Sequence, residues 1–126
     1  MNIVQPAVPT SPVTPTHHES IMDHTIIIFT KSRCVQCDQT KRVLRKKDID
    51  FHEIDIESEN TRLTDQGYAT PYEFCTQTLN AQSAPVVLVH MSRLHPSVQC
   101  ETFYGEFAVW TGFHPDRLKG ITQNPA

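Results

Sequence analysis

Two cysteines separated by two residues, Cys34 and Cys37, are the part of this sequence best suited to chemistry. A thiolate with a second thiol three residues further along is the minimum apparatus for disulfide exchange, because one sulfur attacks a disulfide and the other resolves the intermediate. The same pair could instead supply half of a structural zinc site. Zinc would need two more ligands, and the remaining candidates are scattered along the chain: Cys75, Cys100, His90 and His95.

The segments on either side of the cysteine pair favour disulfide exchange. Residues 25–30 are apolar and β-branched, which predicts a buried strand. Residues 35–47 contain no Gly or Pro and are rich in helix formers, which predicts a helix. At such a junction the free N–H groups and the positive end of the helix dipole face Cys34 and favour its thiolate. Lys31 and Arg33 add positive charge nearby.

The bulk composition excludes several classes of function. A chain of 126 residues suits one domain with a modest core. Because the formal net charge is −3, we expect no general attraction to nucleic acid or to an anionic membrane. The apolar runs are too short to cross a bilayer. The N-terminal residues lack the basic region followed by an apolar region that marks a secretory signal, so we expect none. We therefore expect a cytoplasmic protein whose cysteines are catalytic or bind a metal, rather than one whose cysteines form structural disulfides.

Residues 1–23 differ in kind from the rest. Their prolines recur every third residue, which matches the three-residue turn of polyproline II: Pro6, Pro9, Pro12 and Pro15. Composition predicts a disordered leader, with a docking motif for a proline-binding partner as the alternative. Met22 lies just before the first strand, so the leader could be an upstream extension. We place the folded domain at residues 24–122, with a short tail at 123–126.

Beyond the first helix, strands and helices continue to alternate. The pattern predicts a strand at residues 51–55, a polar loop at 60–70, a helix at 71–79 and a strand at 84–89. A loop at 91–100 follows, then a strand at 101–110 that pairs with the previous one as a hairpin, and a short helix at 115–120. The order is β-α-β-α-β-β-α, an α/β fold with a four-stranded mixed sheet and about three helices.

Three separate segments carry a family resemblance. They are residues 29–37, which include Cys34-Val35-Gln36-Cys37; residues 83–87, which include Ala84-Pro85; and residues 110–118, which begin Trp110-Thr111-Gly112-Phe113. With this element order, the chain resembles the thioredoxin fold and, more narrowly, the NrdH-redoxins, glutaredoxin-like proteins that behave as thioredoxins. The resemblance covers about residues 25–121.

The resemblance implies roles for particular residues. Cys34 is expected to be the more exposed, attacking sulfur and Cys37 the resolving one. Pro85 is expected to be cis and Ala84 to pair with an incoming peptide, whereas without the resemblance a trans proline opening a strand would be favoured. The segment from Trp110 to Phe113 is expected beside the dithiol. A partner would also contact the residues around the cysteines: Lys31, Arg33, Val35 and Gln36.

The function implied by the resemblance is electron delivery to class Ib ribonucleotide reductase for deoxyribonucleotide synthesis, with regeneration by thioredoxin reductase. No bound cofactor or metal is expected, since the dithiol is the carrier and NADPH acts through the reductase; we expect a monomer. One alternative is a glutathione-dependent glutaredoxin, but Phe113 replaces a small residue and Asp116 would repel a carboxylate. The other is a zinc-stabilised interaction module without turnover.

The sequence also departs from the family pattern. Residues 57–79 are longer than usual, residues 91–107 resemble an inserted hairpin extension, Ser32 stands where Pro is common, and His114 where Arg is common. Cys75 and Cys100 are either core residues or partners in a regulatory disulfide. The basic first helix is either a solvated face or a docking face for an acidic partner.

Overall fold

The computed structural model describes residues 17–19, 23–58, 61–63 and 70–123. In chain order its strands and helices are β1 (His17–Glu19), β2 (Ile26–Thr30), α1 (Val35–Lys46), β3 (His52–Asp55), β4 (Thr61–Leu63), α2 (Pro71–Glu73), a π-helical turn (Phe74–Thr78), β5 (Val86–His90), a 3-10 turn (Met91–Arg93), β6 (Phe103–Tyr104), β7 (Phe107–Thr111) and α3 (Pro115–Lys119).

Strand β2 lies inside a five-stranded sheet of order β3-β2-β5-β7-β6. It runs parallel to β3 and antiparallel to β5, and β7 is antiparallel to both β5 and β6. All five residues of β2 are buried, as expected for a β-branched, apolar strand covered on both faces. The predicted α/β architecture with a mixed sheet is therefore confirmed.

The sheet has five strands rather than the predicted four because the aromatic segment at 101–110 is not one strand. A two-residue turn at Gly105 and Glu106 folds Phe103–Tyr104 back onto Phe107 and Ala108. Gly105 has φ 57°, a left-handed conformation that glycine adopts without a steric penalty. The predicted hairpin between this segment and β5 does form, through β7.

The two faces of the sheet are covered by different helices. Because side chains alternate along β2, Ile27 and Phe29 pack in the cluster that contains Phe74 of the π-helical turn. Ile26 and Ile28 pack in a second cluster, on the face that α1 and α3 cover with Leu44 and Leu118. In the described part of the chain, none of the helices has the length and apolar character needed to cross a membrane.

The region between β3 and β5 differs from the prediction in part. Pro71 opens α2, and Thr70 caps it by accepting a hydrogen bond from the Glu73 N–H at 3.3 Å. The helix is predicted as one piece at 71–79, but its second half is a π-helical turn closed by a hydrogen bond from Leu79 N–H to Phe74 O. Asn80 follows at φ 56°, the left-handed conformation in which many helices end.

A second, two-stranded sheet joins β1 to β4 in parallel. These strands fall in the segments predicted as a disordered leader and as a polar loop, so the structure differs from the prediction at residues 17–19 and 61–63. Residues 1–16, 20–22, 59–60, 64–69 and 124–126 lie outside the described residues. The domain limits at 24 and 122 stay a prediction.

The inserted segment after β5 packs against the end of the chain. Its backbone pairs with residues beyond α3: His95 N–H donates to Gly120 O, and Thr122 N–H donates to Arg93 O, both at 2.8 Å. The buried guanidinium of Arg93 also donates to the carbonyls of Thr122 and Gln123. The predicted loop at 91–100 is thus an ordered strap over α3.

Val98 of this strap lies against Gly120, the residue that ends α3. A Cβ at Gly120 would overlap the Val98 side chain. We expect Gly120→Ala to lower the free energy of unfolding by about 1–3 kcal/mol, because the strap must shift to make room. Denaturant unfolding followed by the fluorescence of the single tryptophan would measure this.

The control is the same substitution in a Val98→Ala background. There the added methyl group has room, so Gly120→Ala should be nearly neutral. An equal loss in both backgrounds would mean that the strap does not rest on Gly120.

Candidate active site

Cys34 occupies the N-cap of α1, at the junction predicted from the sequence. Its backbone is extended (φ −122°, ψ 102°), and its Sγ accepts a hydrogen bond from the Cys37 N–H at 3.1 Å. The two cysteines form a disulfide, with Cα atoms 5.2 Å apart. Once this disulfide opens, the same N–H group and the helix dipole stabilise negative charge on Cys34.

The two cysteine residues are unequally exposed. Cys34 is 8% exposed and Cys37 is 1% exposed in the oxidised form, in line with the expectation that Cys34 is the more accessible. The side chains around Cys34 are open to solvent, with Arg33 and Gln36 exposed and Val35 70% exposed. A partner sulfur can approach Cys34 across this rim, whereas Cys37 lies beneath it.

The turn that leads from β2 to Cys34 is held by a hydrogen bond to a residue that follows β3. Arg33 has φ 55°, a left-handed conformation that is uncommon for a residue with a side chain. Ser32, the residue found where the family often has Pro, donates from its hydroxyl to the Glu57 carboxylate at 3.2 Å. Glu57 was not among the predicted site residues, because nothing in the sequence joins it to a position 25 residues earlier.

Gln36 links the dithiol loop to the segment after β7. Its Oε1 accepts a hydrogen bond from the Phe113 N–H at 2.8 Å. Gly112 has φ +84°, and a Cβ there would lie 3.0 Å from the same oxygen, so both the backbone conformation and the space favour glycine. The predicted neighbours Gly112 and Phe113 therefore do lie beside the cysteine loop.

Pro85 joins the same assembly from the other side. The Ala84–Pro85 peptide bond is cis, as predicted. The carbonyl of Pro85 accepts a hydrogen bond from the Gly112 N–H at 2.9 Å, and Val86 pairs with Thr111. The three segments that carry the family resemblance are thus brought together through Gln36, Gly112 and Pro85.

A groove of about 300 Å³ runs between Ala84 and Lys31. Tyr72, which is 60% exposed, also lines it. Lys31 thus reaches the edge of the site by lining this groove, and Arg33 reaches it through its place next to Cys34.

Trp110 sits in the core rather than on the rim of the site. It is 4% exposed and belongs to the apolar cluster that contains Leu118 of α3. Its indole N–H is buried without a hydrogen-bond partner among the described residues, and the Arg117 guanidinium lies 5.6 Å from the ring centre. This position suits a residue that holds α3 in place. A side chain buried to this extent offers little surface for the partner contact predicted for Trp110.

An ion pair joins α1 to the edge strand β3. Lys41 Nζ lies 2.9 Å from the Glu53 carboxylate, which also accepts a hydrogen bond from the Thr30 hydroxyl at 2.7 Å. Partial burial tends to raise the pKa of Glu53. The hydrogen bonds from Thr30 and Lys41, with the charges of Lys41 and Arg45, outweigh burial and hold that pKa below its usual value.

The two remaining cysteines lie on opposite faces of the sheet. Cys75 is fully buried among the residues around Phe74, and burial raises the pKa of its thiol to about 12. Cys100 is half-buried against the other cluster and donates to the carbonyls of Thr102 and Val109. Both are free thiols, and the sheet between them opposes a disulfide within one chain.

The described residues contain no group of three or more His, Cys, Asp or Glu side chains arranged to hold a metal ion. The zinc alternative therefore lacks a full ligand set in that part of the chain.

Comparison with known families decides the classification. The glutaredoxin family model matches residues 26–90, which are 65 of the 126 residues. The chain belongs to the glutaredoxin family. Together with the Cys34–Cys37 disulfide, membership makes this glutaredoxin-family chain a thiol-disulfide oxidoreductase.

Other comparisons are more distant. Among solved structures, the chain is similar to NrdH-redoxin from Escherichia coli, described as a glutaredoxin-like protein with a thioredoxin-like activity profile. The identity is 23% and the TM-score 0.48, over 79% of this chain and 97% of that one. The search of curated proteins gave no match.

The geometry of this glutaredoxin-family site predicts an order of thiol reactivity. In the reduced protein at pH 7, we expect iodoacetamide to modify Cys34 first, because the Cys37 N–H stabilises its thiolate. Cys75 should stay unmodified, since a thiol with a pKa of about 12 is only about one part in 10⁵ ionised at pH 7. Peptide mapping by mass spectrometry over time would give the four rates.

Unfolding in guanidinium chloride is the control, and there the four thiols should react at similar rates. A rate for Cys34 no faster than that of Cys100 in the folded protein would contradict the assignment of an activated thiolate.

Proposed function

We propose that this chain is a dithiol electron carrier of the NrdH-redoxin type, in which Cys34 attacks a partner disulfide and Cys37 resolves the product. The observation that carries the proposal is the 3.1 Å hydrogen bond from the Cys37 N–H to Cys34 Sγ, at the start of a 12-residue helix. The greater exposure of Cys34 supports the order of the two roles.

The proposed reaction moves two electrons in two exchanges. The Cys34 thiolate attacks one sulfur of the partner disulfide, a mixed disulfide forms, and the other partner sulfur leaves as a thiolate. Cys37 then gives up its proton to the leaving thiolate or to solvent and attacks Cys34 Sγ. The Cys34–Cys37 disulfide forms and the partner leaves with both of its cysteines reduced. Because Cys37 is 1% exposed, it is placed to attack Cys34 within the same molecule rather than the disulfide of a second partner.

Ala84 is the proposed contact for the partner backbone. It is half-buried, directly precedes the buried Pro85 and lines the groove that reaches Lys31. The Ala84 backbone makes no hydrogen bond with another described residue. An extended peptide beside it could therefore add as a strand by main-chain hydrogen bonds, which is a common mode of peptide recognition.

The proposed electron donor is thioredoxin reductase with NADPH, the proposed acceptor is class Ib ribonucleotide reductase, and the proposed location is the cytoplasm. The resemblance of the cysteine, cis-proline and Trp110–Phe113 segments supports this choice. A contact in the structure also counts against glutathione. Glutaredoxins place glutathione-carboxylate contacts in the region of Phe113, but here the Phe113 N–H already donates to Gln36. Asp116, exposed in the first turn of α3, adds a negative charge nearby.

The cysteine roles predict different fates for two matched variants. Cys37→Ser should accumulate a stable mixed disulfide between Cys34 and the partner, because the resolving sulfur is missing. Cys34→Ser should form none and should lose reduction of protein disulfides entirely. Non-reducing electrophoresis and mass spectrometry of proteins captured from a lysate would identify the trapped species and its cysteine.

Full turnover by Cys37→Ser, or equal trapping by both variants, would contradict these roles. Circular dichroism of each variant would confirm that the fold is intact.

The choice of electron donor predicts which reducing system sustains turnover. We expect fast NADPH consumption with thioredoxin reductase and an insulin disulfide as substrate, and weak consumption with glutathione and glutathione reductase. Absorbance at 340 nm would follow both assays, with Cys34→Ser as the inactive control in each. Turnover that is as fast with glutathione would instead support the glutathione-dependent alternative.

A further inference from the structure

Positive charge is concentrated around the dithiol. Residues 31–47 hold seven of the 11 Lys and Arg residues and one of the 14 Asp and Glu residues, which gives this segment a net charge of +6. The rest of the chain holds four basic and 13 acidic residues, a net charge of −9. The overall charge of −3 therefore conceals a molecule with one basic segment and an acidic remainder.

Three of the seven cations already have structural contacts. Lys47 donates to the carbonyls of Leu118, Lys119 and Ile121, Lys41 pairs with Glu53, and Arg45 lies 5.6 Å from the centre of the Phe51 ring. The other four are exposed and form no ion pair with a described residue: Lys31, Arg33, Arg42 and Lys46.

Two of these exposed cations, Arg42 and Lys46, lie on the outside of α1, whereas Lys31 and Arg33 precede the dithiol at its start. Val35, Arg42 and Lys46 are spaced by seven and four residues, so they share the face of the helix opposite the buried Leu44. That row is about 16 Å long at 1.5 Å per residue. It begins at Val35, an apolar side chain that is 70% exposed next to Cys34. We call Lys31, Arg33, Val35, Arg42 and Lys46 the basic ridge.

We propose that the basic ridge is a docking surface for an acidic polypeptide segment beside the partner's disulfide. This inference rests on the proposed function and specifies the chemistry of its substrate. Carboxylates of the partner would pair with Arg42 and Lys46 while its disulfide meets Cys34, and Val35 offers an apolar contact between the two.

The charge of the remaining surface favours a protein over nucleic acid as the occupant. A nucleic acid continues as a polyanion beyond a site of this length, and the net charge of −9 elsewhere would repel it. A short acidic segment of a protein can instead place all of its negative charge on the ridge and so avoid this repulsion. The opposed charges also orient the encounter, because an acidic partner is attracted to the dithiol side and repelled from the others.

Three disulfide peptides would test the proposal. Each carries the same cyclised Cys-x-x-Cys disulfide, flanked by three Glu, three Gln or three Lys residues. Rates of reduction by the reduced full chain, measured by acid quench and chromatography, give second-order rate constants. At low ionic strength we expect the Glu peptide to react about tenfold faster than the Gln peptide and the Lys peptide more slowly. The three rate constants should converge in 0.5 M salt, where charges more than about 4 Å apart are largely screened from each other.

Two matched variants separate the ridge from net charge. Lys46→Glu and Lys119→Glu each change the charge by the same amount, at exposed positions on the ridge and on α3. Lys46→Glu should lower the ratio of Glu-peptide to Gln-peptide rates by about threefold or more, and Lys119→Glu should change it little. Equal effects of the two variants would overturn the ridge in favour of net charge alone.

The remaining outcomes are also decisive. Equal rates for the three peptides at low salt would overturn the docking surface and leave the proposed function standing. Failure to reduce any of them would overturn both. A cysteine-free Glu peptide should inhibit reduction of the Gln peptide, and stronger inhibition by a single-stranded oligonucleotide of equal charge would overturn the proposal in favour of nucleic acid.

Discussion

The site depends on one interaction, the hydrogen bond from the Cys37 N–H to Cys34 Sγ at the N-cap of α1. This bond requires the helix to begin at Cys34 and not one residue earlier or later. Strand β2 must therefore end at Thr30, and the three intervening residues must turn the chain within a short distance. The left-handed conformation of Arg33 makes that turn, and the hydrogen bond from Ser32 to Glu57 holds it.

Both ends of α1 are fixed to the C-terminal part of the chain. At its start, Gln36 accepts the Phe113 N–H, and Gly112 in turn donates to Pro85. Just beyond its end, Lys47 donates to three carbonyls at and after the last turn of α3, at 2.8–3.3 Å. Such cationic contacts favour a helix C-terminus. A helix anchored at both ends can keep the cysteine loop in register with the cis-proline loop.

The sequence predicted what short stretches determine by themselves. The β-branched run of β2, the helix formers of α1 and the Pro and Gly that bound α3 gave these elements within one or two residues. The turn at Gly105, the pairing of β1 with β4, and the strap over α3 were missed. Each depends on contacts between residues far apart in the chain, which local propensity does not encode. Gln36 was predicted to contact a partner, and its hydrogen bond with Phe113 was missed because the two residues are 77 positions apart.

The placement of the basic residues is explained by helix stability at one end of α1 only. Arg45 and Lys46 lie in the last turn, where cations are favourable to the helix dipole. Lys31 and Arg33 precede the first turn, where the same dipole makes cations unfavourable. Reduction offsets this unfavourable interaction, because the Cys34 thiolate that forms is a negative charge at the N-cap and attracts nearby cations. Positive charge at the start of α1 therefore suits the reduced protein better than the oxidised one.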